Sequence, residues 1–448
     1  MSGRPGQAKQ PAGPGCAGIT RRQVLTRIGV GLAGVPLLRP GSSRGDLVNS
    51  RARVVVIGGG WAGLIIARYL AAESGLFDVT LVEKGKRFFS HPLSNLWLAG
   101  QVKTDFLTHR YEDAAASGGY RLIQQNVLDV DSAQRKVITT DGKLDYDLLV
   151  LAPGIDYDYE RSGMDDAEAI RELKNRYPAG FIGEAEIAAV KQKVENFTQG
   201  TFVLTVPNDN YRCMAAPYER ACMIASVFKR RKLAAKVLLL DMNSSPRVKA
   251  EGFLHAFERL HRDYIEYVPS TEITGFDPFN RLVLTEFDEY SFDDAAIYPK
   301  VRASRLLEKI GIADPANPQK AAITDPFNYR LMNDERIYVI GDARSQPFSK
   351  SGNTASTEAR YLARQITAYA QGVEIPWEGP QTMCFSGVRT EPLEAMSLLA
   401  SYKFDAQANA FGFDRVLTIQ DWSEQIARAG LVWGEAAYNE MFYYAVSG

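Results

Sequence analysis

A glycine-rich turn near the start of the chain limits the possible folds more than any other segment. The stretch VVVIGGGWAGLIIARYLAA predicts a buried strand over residues 54–57, a tight turn, and a helix that continues to Ala72. Gly58 allows the turn, Gly60 lets the backbone approach a pyrophosphate, and Gly63 lets the helix pack closely on the strand. The first N–H groups of the helix then face the phosphates. This pattern predicts an α/β domain that binds a dinucleotide.

An acidic residue at the end of the next predicted strand supports the same interpretation. The strand over residues 79–82 is followed by Glu83, whose carboxylate can bind both hydroxyls of a ribose and would repel a 2′-phosphate. Lys84 follows directly and is a further candidate cofactor-binding residue. The acid and the glycine loop together predict a dinucleotide without a 2′-phosphate.

Two later segments indicate which dinucleotide is bound. Residues 144–159, LDYDLLVLAPGIDYDY, predict a buried strand that runs into a turn containing Ala152 and Gly154. This turn resembles the one that returns the chain to the nucleotide domain in flavoproteins with two dinucleotide-binding domains. The sequence IYVIGD predicts another strand, which ends at Gly341 and Asp342 and resembles the motif whose aspartate binds the ribityl chain of FAD. The expected cofactor is therefore FAD.

A helix is predicted directly after Ser351 and Gly352, from about residue 353. Its positive N-terminal end would point at the N1/O2 edge of the flavin, with Lys350 close by. Both groups would stabilise an anionic reduced flavin. The alternative for Lys350 is an ordinary surface lysine.

A second strand–helix–strand unit follows near residues 200–300, with the strands GTFVLTVP and KVLLLDMN on either side of the predicted helix PYERACMIASVFKRR. The turn after its first strand, VPNDNYRCMAAPYE, contains no glycine. A pyrophosphate cannot approach such a turn closely, because a side chain stands at every position. This unit therefore predicts a Rossmann-like domain without a nucleotide, and NADH is not expected as the electron donor.

These segments define the expected fold class and domains. The chain is predicted to be an α/β protein with two Rossmann-like domains and a small α+β C-terminal domain. The FAD-binding domain is discontinuous, over residues 51–155 and 318–376, and the second, degenerate domain covers residues 156–317. The C-terminal domain covers residues 377–448, with a predicted strand over 413–419 and an aromatic-rich last helix, and is expected to contact a partner.

The first 45 residues differ from the rest of the chain in charge. They contain seven of the 52 basic residues and no acidic residue, so the remainder, with all 53 acidic residues, has a net charge of −8. A negative charge argues against nucleic acid as a partner. The segment ITRRQVLTRIGVGLAGVPLL places Arg21 and Arg22 before a short apolar run, a pattern typical of a twin-arginine export signal. Residues 1–45 are therefore predicted to direct the protein to the periplasm.

Cysteine usage excludes several classes of metal and haem protein. The chain has four cysteines, Cys16 in the leader and Cys213, Cys222 and Cys384 in the remainder, too few for a disulfide framework. No CxxCH sequence for covalent haem and no zinc or iron–sulfur spacing is present, so no metal site is expected. Cys222 lies on an apolar face of a predicted helix and is expected to be a core thiol.

Taken together, the motifs resemble the flavoprotein subunit of flavocytochrome c sulfide dehydrogenase, within the wider group that contains the sulfide:quinone oxidoreductases. The resemblance covers nearly the whole chain after the leader. It is carried by GGGWAG, LAPGIDY, YRCMAAPYERA, IYVIGDARSQPFSKSGNTAS and TMCFS. The Cys-x5-Glu spacing in YRCMAAPYE is its most specific part.

The resemblance implies a mechanism. In that family the cysteines matching Cys213 and Cys384 form a redox-active disulfide beside the flavin, and the glutamate matching Glu219 handles protons. Hydrosulfide can attack such a disulfide and leave a persulfide on one cysteine and a thiolate on the other. Burial of Glu219 would raise its pKa towards the working pH. Which cysteine holds the persulfide stays open at this point.

One position departs from the family. A cysteine before an LSN-like sequence commonly attaches covalently to the flavin there, whereas RFFSHPLSNLWLAG places His91 at the matching position. FAD is therefore expected to be bound noncovalently, and attachment through the imidazole of His91 is the alternative.

The resemblance also implies the route by which electrons leave. The family passes them to a separate c-type cytochrome subunit, so a heterodimer with such a subunit is expected, with a small sulfur compound as substrate. Quinone is the rival acceptor, but the acidic last helix fits an anionic membrane surface poorly, so membrane association is not expected. The leading function is a periplasmic sulfide dehydrogenase. The alternatives are oxidation of another thiol or persulfide, a FAD-binding electron-transfer subunit without sulfide activity and, last, an NADH dehydrogenase.

Overall fold

The structure, a computed structural model, describes residues 51–444. The predicted export signal lies outside these residues and stays a prediction. Between residues 51 and 444, no helix is long and apolar enough to cross a membrane.

A six-stranded sheet forms the centre of the first Rossmann-like domain. Its central strand is Ala52–Ile57, which pairs in parallel with Phe77–Glu83 on one side and Leu148–Leu151 on the other. The apolar run VVVI is buried on both faces. Val54 and Val56 lie in one core with helices Trp61–Ala72 and Gly352–Ala370, whereas Val55 and Ile57 lie in a second core that includes Val137. The strands lie in the order Arg330–Leu331, Asp334–Val339, Leu148–Leu151, Ala52–Ile57, Phe77–Glu83, Arg121–Gln124. Helices Trp61–Ala72 and Gly352–Ala370 pack against each other beside it, so the two distant parts of the predicted FAD domain form one unit.

A four-stranded parallel sheet forms the second Rossmann-like domain. Its strands lie in the order Ile265–Val268, Ala234–Asp241, Gln199–Val206, Asp294–Ala296. Helix Ala216–Arg230 connects the two central strands, as the sequence predicts, and almost all of it is buried. The structure thus has the α/β class with two Rossmann-like units that the sequence predicts, whereas the predicted domain boundaries stay predictions.

The C-terminal region is an antiparallel sheet followed by a helix. Three long strands, Gln381–Thr390, Leu393–Asp405 and Ala410–Ser423, pair in that order. The last strand extends beyond the predicted residues 413–419, because hairpin pairing with the middle strand continues on both sides. Helix Glu424–Phe442 then begins at Ser423, whose side chain accepts a hydrogen bond from the backbone N–H of Ile426.

Smaller elements complete the described chain. The remaining strands form short antiparallel pairs and three-stranded sheets: Arg87–Phe89 with Thr108–Arg110, Val127–Asp131 with Lys136–Thr139 and Gly142–Asp145, Ile155–Asp158 with Lys300–Ala303, and Ile273–Asp277 with Leu282–Thr285 and Glu289–Ser291. The remaining α-helices are Ser94–Leu98, Thr104–Leu107, Tyr111–Gly118, Ala167–Arg176, Gly183–Asn196, Ala250–His255 and Arg305–Lys309. One hydrophobic core of buried side chains extends through both Rossmann-like units and into the C-terminal sheet. These parts therefore pack as one body.

Candidate functional site

The glycine loop has the geometry that dinucleotide binding requires. Gly58 has a φ of +102°, and a Cβ there would lie 2.4 Å from the carbonyl oxygen of Ala152. A Cβ at Gly63 would lie 1.7 Å from the carbonyl oxygen of Gly58. A Cβ at Gly60, in contrast, would meet no atom within 4 Å. Two glycines therefore let the backbone close tightly, and the third faces the open space in which a pyrophosphate would fit.

Glu83 organises this loop. Its two carboxylate oxygens accept hydrogen bonds from the backbone N–H groups of Gly59 and Gly85, both at 2.6 Å. A carboxylate has about four lone-pair sites, so acceptor capacity remains for ribose hydroxyls. Lys84 is exposed beside it.

Asp342 lies where the second FAD motif meets the second Rossmann-like unit. Its Oδ2 accepts a hydrogen bond from Arg212 Nε at 2.7 Å, and its Oδ1 is buried without a partner among the described residues. A buried unpaired acceptor is costly, and a ribityl hydroxyl would satisfy it. Gly341 and Gly154 both have positive φ, and a Cβ at Gly154 would lie 3.1 Å from Arg212 Nη2. Arg212, which the sequence interpretation missed, thus contacts two of the predicted cofactor-binding segments.

Lys350 is buried, so its interpretation as an ordinary surface lysine is wrong. Its side chain is 2% exposed, and its Nζ donates to the carbonyl oxygen of Asp342 at 2.7 Å. Burial lowers the pKa of Lys350 to about 8. Ser351 caps helix Gly352–Ala370 by accepting a hydrogen bond from Thr354 N at 3.3 Å. The open space before Gly60 and the unpaired Asp342 Oδ1 together fit FAD at the predicted site.

The two predicted redox cysteines, distant in sequence, face each other in the structure. Cys213 ends the glycine-free turn just before helix Ala216–Arg230, in a left-handed conformation with a φ of +58°, and its N–H donates to the carbonyl oxygen of Lys350 at 2.8 Å. Cys384 lies on strand Gln381–Thr390. Both are free thiols in this structure, and each is the largest influence on the pKa of the other.

The surroundings of the two thiols differ. The neighbouring Cys213 thiol and the ammonium group of Lys249 lower the pKa of Cys384 well below its usual range. The neighbouring Cys384 sulfur and burial raise the pKa of Cys213. The Nζ of Lys249 lies 3.3 Å from the Sγ of Cys384 and 2.7 Å from the Oγ of Ser386. Cys384 is therefore the thiol that ionises first.

Glu219 lies beside this pair on the first turn of its helix and is 6% exposed. Its Oε2 accepts from Asn95 Nδ2 and its Oε1 from the backbone N–H of Gly387, both at 2.8 Å. Burial raises the pKa of Glu219 to about 7, although both hydrogen bonds oppose the rise. Arg220 holds the amide of Asn95 through a bond of 3.0 Å. A carboxyl group with this pKa can accept and release a proton near neutral pH.

Three residues of this site were missed by the sequence interpretation. Ser386 follows Cys384 by two residues on the same strand, and strand periodicity would have placed both on one face. Asn95 lies in the LSN sequence that was noted only for His91. Lys249 follows strand Ala234–Asp241 of the second domain and lies in neither of the two cysteine motifs. No neighbouring residue therefore indicates that it contacts Cys384.

The structure also describes His91 and Cys222, two further residues that the sequence singled out. Burial, with the charges of Arg212 and Arg220, lowers the pKa of His91 to about 3, so its imidazole is neutral. Its Nδ1 is buried without a hydrogen-bond partner among residues 51–444. Cys222 is fully buried, which confirms it as a core thiol. In the same residues, no group of three or more His, Cys, Asp or Glu side chains is arranged to hold a metal ion.

In the second Rossmann-like unit, protein side chains surround the acidic residue at the position that corresponds to Glu83. Asp241 ends the second strand of this unit, as Glu83 does in the first, but it is fully buried. Its carboxylate accepts hydrogen bonds from the hydroxyls of Tyr218 and Tyr267, at 2.8 and 2.9 Å, and from the backbone N–H of Asn243. Its acceptor sites are therefore occupied by protein groups, in agreement with a domain that holds no nucleotide.

Comparisons with known proteins agree with this geometry. Residues 52–176 match the pyridine nucleotide-disulphide oxidoreductase family. Residues 187–299 match the family described as the central part of the sulfide dehydrogenase (flavocytochrome c) flavoprotein chain. The mitochondrial sulfide:quinone oxidoreductase of Mus musculus is 22% identical over 326 residues, 70% of each chain. The putidaredoxin reductase of Pseudomonas putida is 35% identical over 111 residues, 24% of this chain and 26% of that one.

Solved structures show the same fold. The sulfide:quinone oxidoreductase of Aquifex aeolicus superimposes with a TM-score of 0.70 at 15% identity, over 89% of this chain and 93% of that one. The fold is thus that of the pyridine nucleotide-disulphide oxidoreductases, a class of FAD-binding flavoproteins. Within that class, the matches support a flavoprotein of the sulfide dehydrogenase and sulfide:quinone oxidoreductase family.

Proposed function

We propose that the protein is a FAD-dependent dehydrogenase that oxidises hydrosulfide to sulfane sulfur through a reversible Cys213–Cys384 disulfide. The observation that carries the proposal is the meeting of these two thiols beside the predicted FAD-binding residues. The backbone N–H of Cys213 bonds to Lys350, and the adjacent Arg212 bonds to Asp342. The family match of residues 187–299 and the sulfide:quinone oxidoreductase relatives supply the substrate class.

The residues of the chain divide the reaction between them. In the oxidised form Cys213 and Cys384 share the disulfide that hydrosulfide attacks, and one thiolate is the leaving group. Glu219 accepts the proton of the attacking sulfur, because its pKa of about 7 leaves a large fraction of it ionised near neutral pH. A second sulfur nucleophile, such as another hydrosulfide ion, takes the sulfane sulfur from the cysteine as polysulfide. FAD, when bound, would then supply the two-electron oxidation that restores the disulfide. Asn95 and Gly387 hold the carboxylate of Glu219 in place throughout.

For the electron acceptor we propose a c-type cytochrome subunit in a periplasmic heterodimer. The description of the family that residues 187–299 match supports a cytochrome partner. The C-terminal edge strand Ala410–Ser423 exposes the apolar side chains of Phe413, Leu417 and Ile419, which such a partner would cover. Quinone is the second candidate acceptor, because the mouse relative, matched over 70% of each chain, is a sulfide:quinone oxidoreductase.

Anaerobic titration with sulfide tests the catalytic proposal. Flavin absorbance is expected to bleach with sulfide and to persist with NADH. Cys213→Ser and Cys384→Ser are each expected to keep FAD and to lose this bleaching, while Cys222→Ser, which changes a core thiol, serves as the matched control. Bleaching by other thiols or persulfides only would identify another sulfur substrate. Flavin that none of these compounds reduces, but that a redox partner does, would identify an electron carrier.

Two further measurements test the cofactor attachment and the acceptor. Acid precipitation is expected to release yellow FAD into the supernatant, whereas colour that stays with the pellet would indicate attachment through His91. Sulfide-reduced protein is expected to reduce a soluble c-type cytochrome faster than a water-soluble quinone. The opposite order would favour quinone as the acceptor.

A further inference from the structure

Two buried side chains that the proposed reaction does not use lie next to the predicted FAD-binding residues. Arg344 belongs to the segment 341–350 and is 1% exposed, and Glu358, in the second turn of helix Gly352–Ala370, has no exposed surface. The Nε of Arg344 lies 2.7 Å from the Oε1 of Glu358. A fully buried pair of this kind adds little net stability, but it can hold its surroundings in one conformation.

The guanidinium group of Arg344 joins the two ends of the segment 341–350. Its Nη1 donates to the carbonyl oxygen of Gly341 at 2.6 Å, and its Nη2 donates to the carbonyl oxygen of Ser349 at 3.0 Å. The ring of Phe348 lies 5.4 Å from its Cζ. A guanidinium group presents its donors as a rigid planar fork, which a lysine ammonium group does not. Arg344 therefore fixes the distance between the two carbonyl groups.

The two ends that are joined in this way carry the predicted flavin contacts. Asp342 follows Gly341 directly, and its Oδ1 is buried without a partner among the described residues. Lys350 follows Ser349 directly, and its Nζ donates to the carbonyl oxygen of Asp342 at 2.7 Å. A shift of either end would move one of these side chains relative to the other. The bridge made by Arg344 therefore determines where both of them lie.

We propose that Arg344 and Glu358 are positioning residues for the flavin, in which Arg344 bridges the segment that presents Asp342 and Lys350, and Glu358 fixes the guanidinium group from the adjoining helix. Neither residue has to touch FAD for this role. The inference concerns the bound cofactor and does not depend on the sulfur chemistry proposed above. Without the pair, the fold is expected to persist, while FAD binds more weakly and the reduced flavin is less stabilised.

A double substitution, Arg344→Met with Glu358→Leu, tests this inference on the full chain. It leaves no unpaired charge in the core, so the apoprotein is expected to unfold at a temperature close to that of the wild type. The dissociation constant of FAD, measured by flavin fluorescence on dilution of the holoprotein, is expected to rise roughly tenfold, because the contacts are no longer preorganised. The midpoint potential of the bound flavin is expected to fall by about 30 mV, which corresponds to tenfold weaker binding of reduced relative to oxidised FAD.

Two single variants separate the bridge from the charge and from the surface. Arg344→Lys keeps a positive charge but cannot reach both carbonyl groups, so it is expected to resemble the double variant in both measurements. Arg364→Gln removes an exposed arginine that pairs with Glu378 on the same helix and is expected to resemble the wild type. Wild-type values in Arg344→Lys would overturn the bridge, because a charge alone would then be sufficient.

The remaining outcomes are equally decisive. A double variant that keeps the FAD affinity and the midpoint potential of the wild type would overturn the proposal, whether or not its stability falls. If the double variant does not fold, Glu358→Gln takes its place, with smaller changes in the same direction expected and unchanged values overturning the role of Glu358. Bleaching of the wild-type flavin by sulfide is independent of all these results, so the proposed function and this inference can fail separately.

Discussion

The two Rossmann-like units share a topology but treat the end of their second strand in opposite ways. In the first unit Glu83 is partly exposed, and its carboxylate bonds to backbone N–H groups of the glycine loop. In the second unit Asp241 is fully buried and bonds to two tyrosine hydroxyls. The same strand–helix–strand frame can therefore bind a dinucleotide or exclude it, depending on whether the carboxylate is left free or saturated by protein groups.

The turns that precede the two helices differ in a corresponding way. The first uses Gly58 at a φ of +102°, where a side chain would collide with Ala152. The second places Cys213 at a φ of +58°, a conformation that non-glycine residues adopt only at a cost. Because the turn of the second unit does not hold a pyrophosphate, it can orient the thiol of Cys213 towards Cys384. The helix that follows this turn supplies Glu219.

The largest expected effect concerns the tight part of the glycine loop. Gly63→Ala would place a Cβ 1.7 Å from a backbone oxygen, so the strand and helix must separate. We expect a loss of roughly 3 kcal/mol or more in the free energy of unfolding, together with loss of FAD. Gly60→Ala is the matched control, because its Cβ meets no protein atom. It is expected to keep the stability of the apoprotein and to lose FAD affinity, as measured by thermal unfolding and flavin content. Equal destabilisation by both changes would contradict the assigned roles.

A second prediction compares the two strand-end carboxylates. Asp241→Ala leaves the buried hydroxyl of Tyr218 and the partly buried hydroxyl of Tyr267 without their partner, at an expected cost of roughly 2–4 kcal/mol in the free energy of unfolding. FAD content is expected to persist in the protein that folds. Glu83→Ala should show the reverse pattern in chemical denaturation and flavin assays, with weaker FAD binding and a smaller stability loss in the apoprotein. Similar behaviour of both variants would show that the units do not differ as described.

A third prediction concerns pH and the carboxyl group beside the thiols. The pKa of Glu219 rises from its ordinary 4.5 to about 7 in the folded protein, so the folded state retains a proton that the unfolded state has lost. The free energy of unfolding therefore falls as pH rises from about 4.5 to 7, by up to about 3 kcal/mol. Glu219→Gln should make this fall smaller, as measured by denaturation at a series of pH values, whereas Glu358, whose pKa burial raises to about 8, continues to contribute to it. It should also slow flavin reduction by sulfide, because the amide accepts no proton. A pH dependence of the same size in the variant and the wild type would contradict the raised pKa of Glu219.

The smallest expected effect concerns the helix ends. Helix Gly352–Ala370 is capped by the side chain of Ser351, whereas helix Ala216–Arg230 has no side-chain cap. Ser351→Ala is expected to lower the free energy of unfolding by about 1 kcal/mol, while Ser351→Asn should retain most of it. Calorimetry of both variants would test this difference. Equal stability of Ser351→Ala and the wild type would show that the cap contributes nothing.

The sequence by itself determined the features that depend on neighbouring residues. Apolar runs predicted the central strands, glycines at positions 58, 60 and 63 predicted the phosphate turn, and their absence near Cys213 predicted a unit without a nucleotide. These features are readable because backbone conformation and strand or helix periodicity are local properties.

Only the tertiary structure decided which distant side chains surround the thiols. Lys249 reaches Cys384 across 135 positions, Asn95 reaches Glu219 across 124, and Arg212 reaches Asp342 across 130. The burial of Lys350 also excluded the alternative of an ordinary surface lysine. No local pattern encodes such contacts, because they arise when helices and sheets from separate segments pack into one core. The acidity of Cys384 and the raised pKa of Glu219 follow from that packing, which removes water and brings charges together.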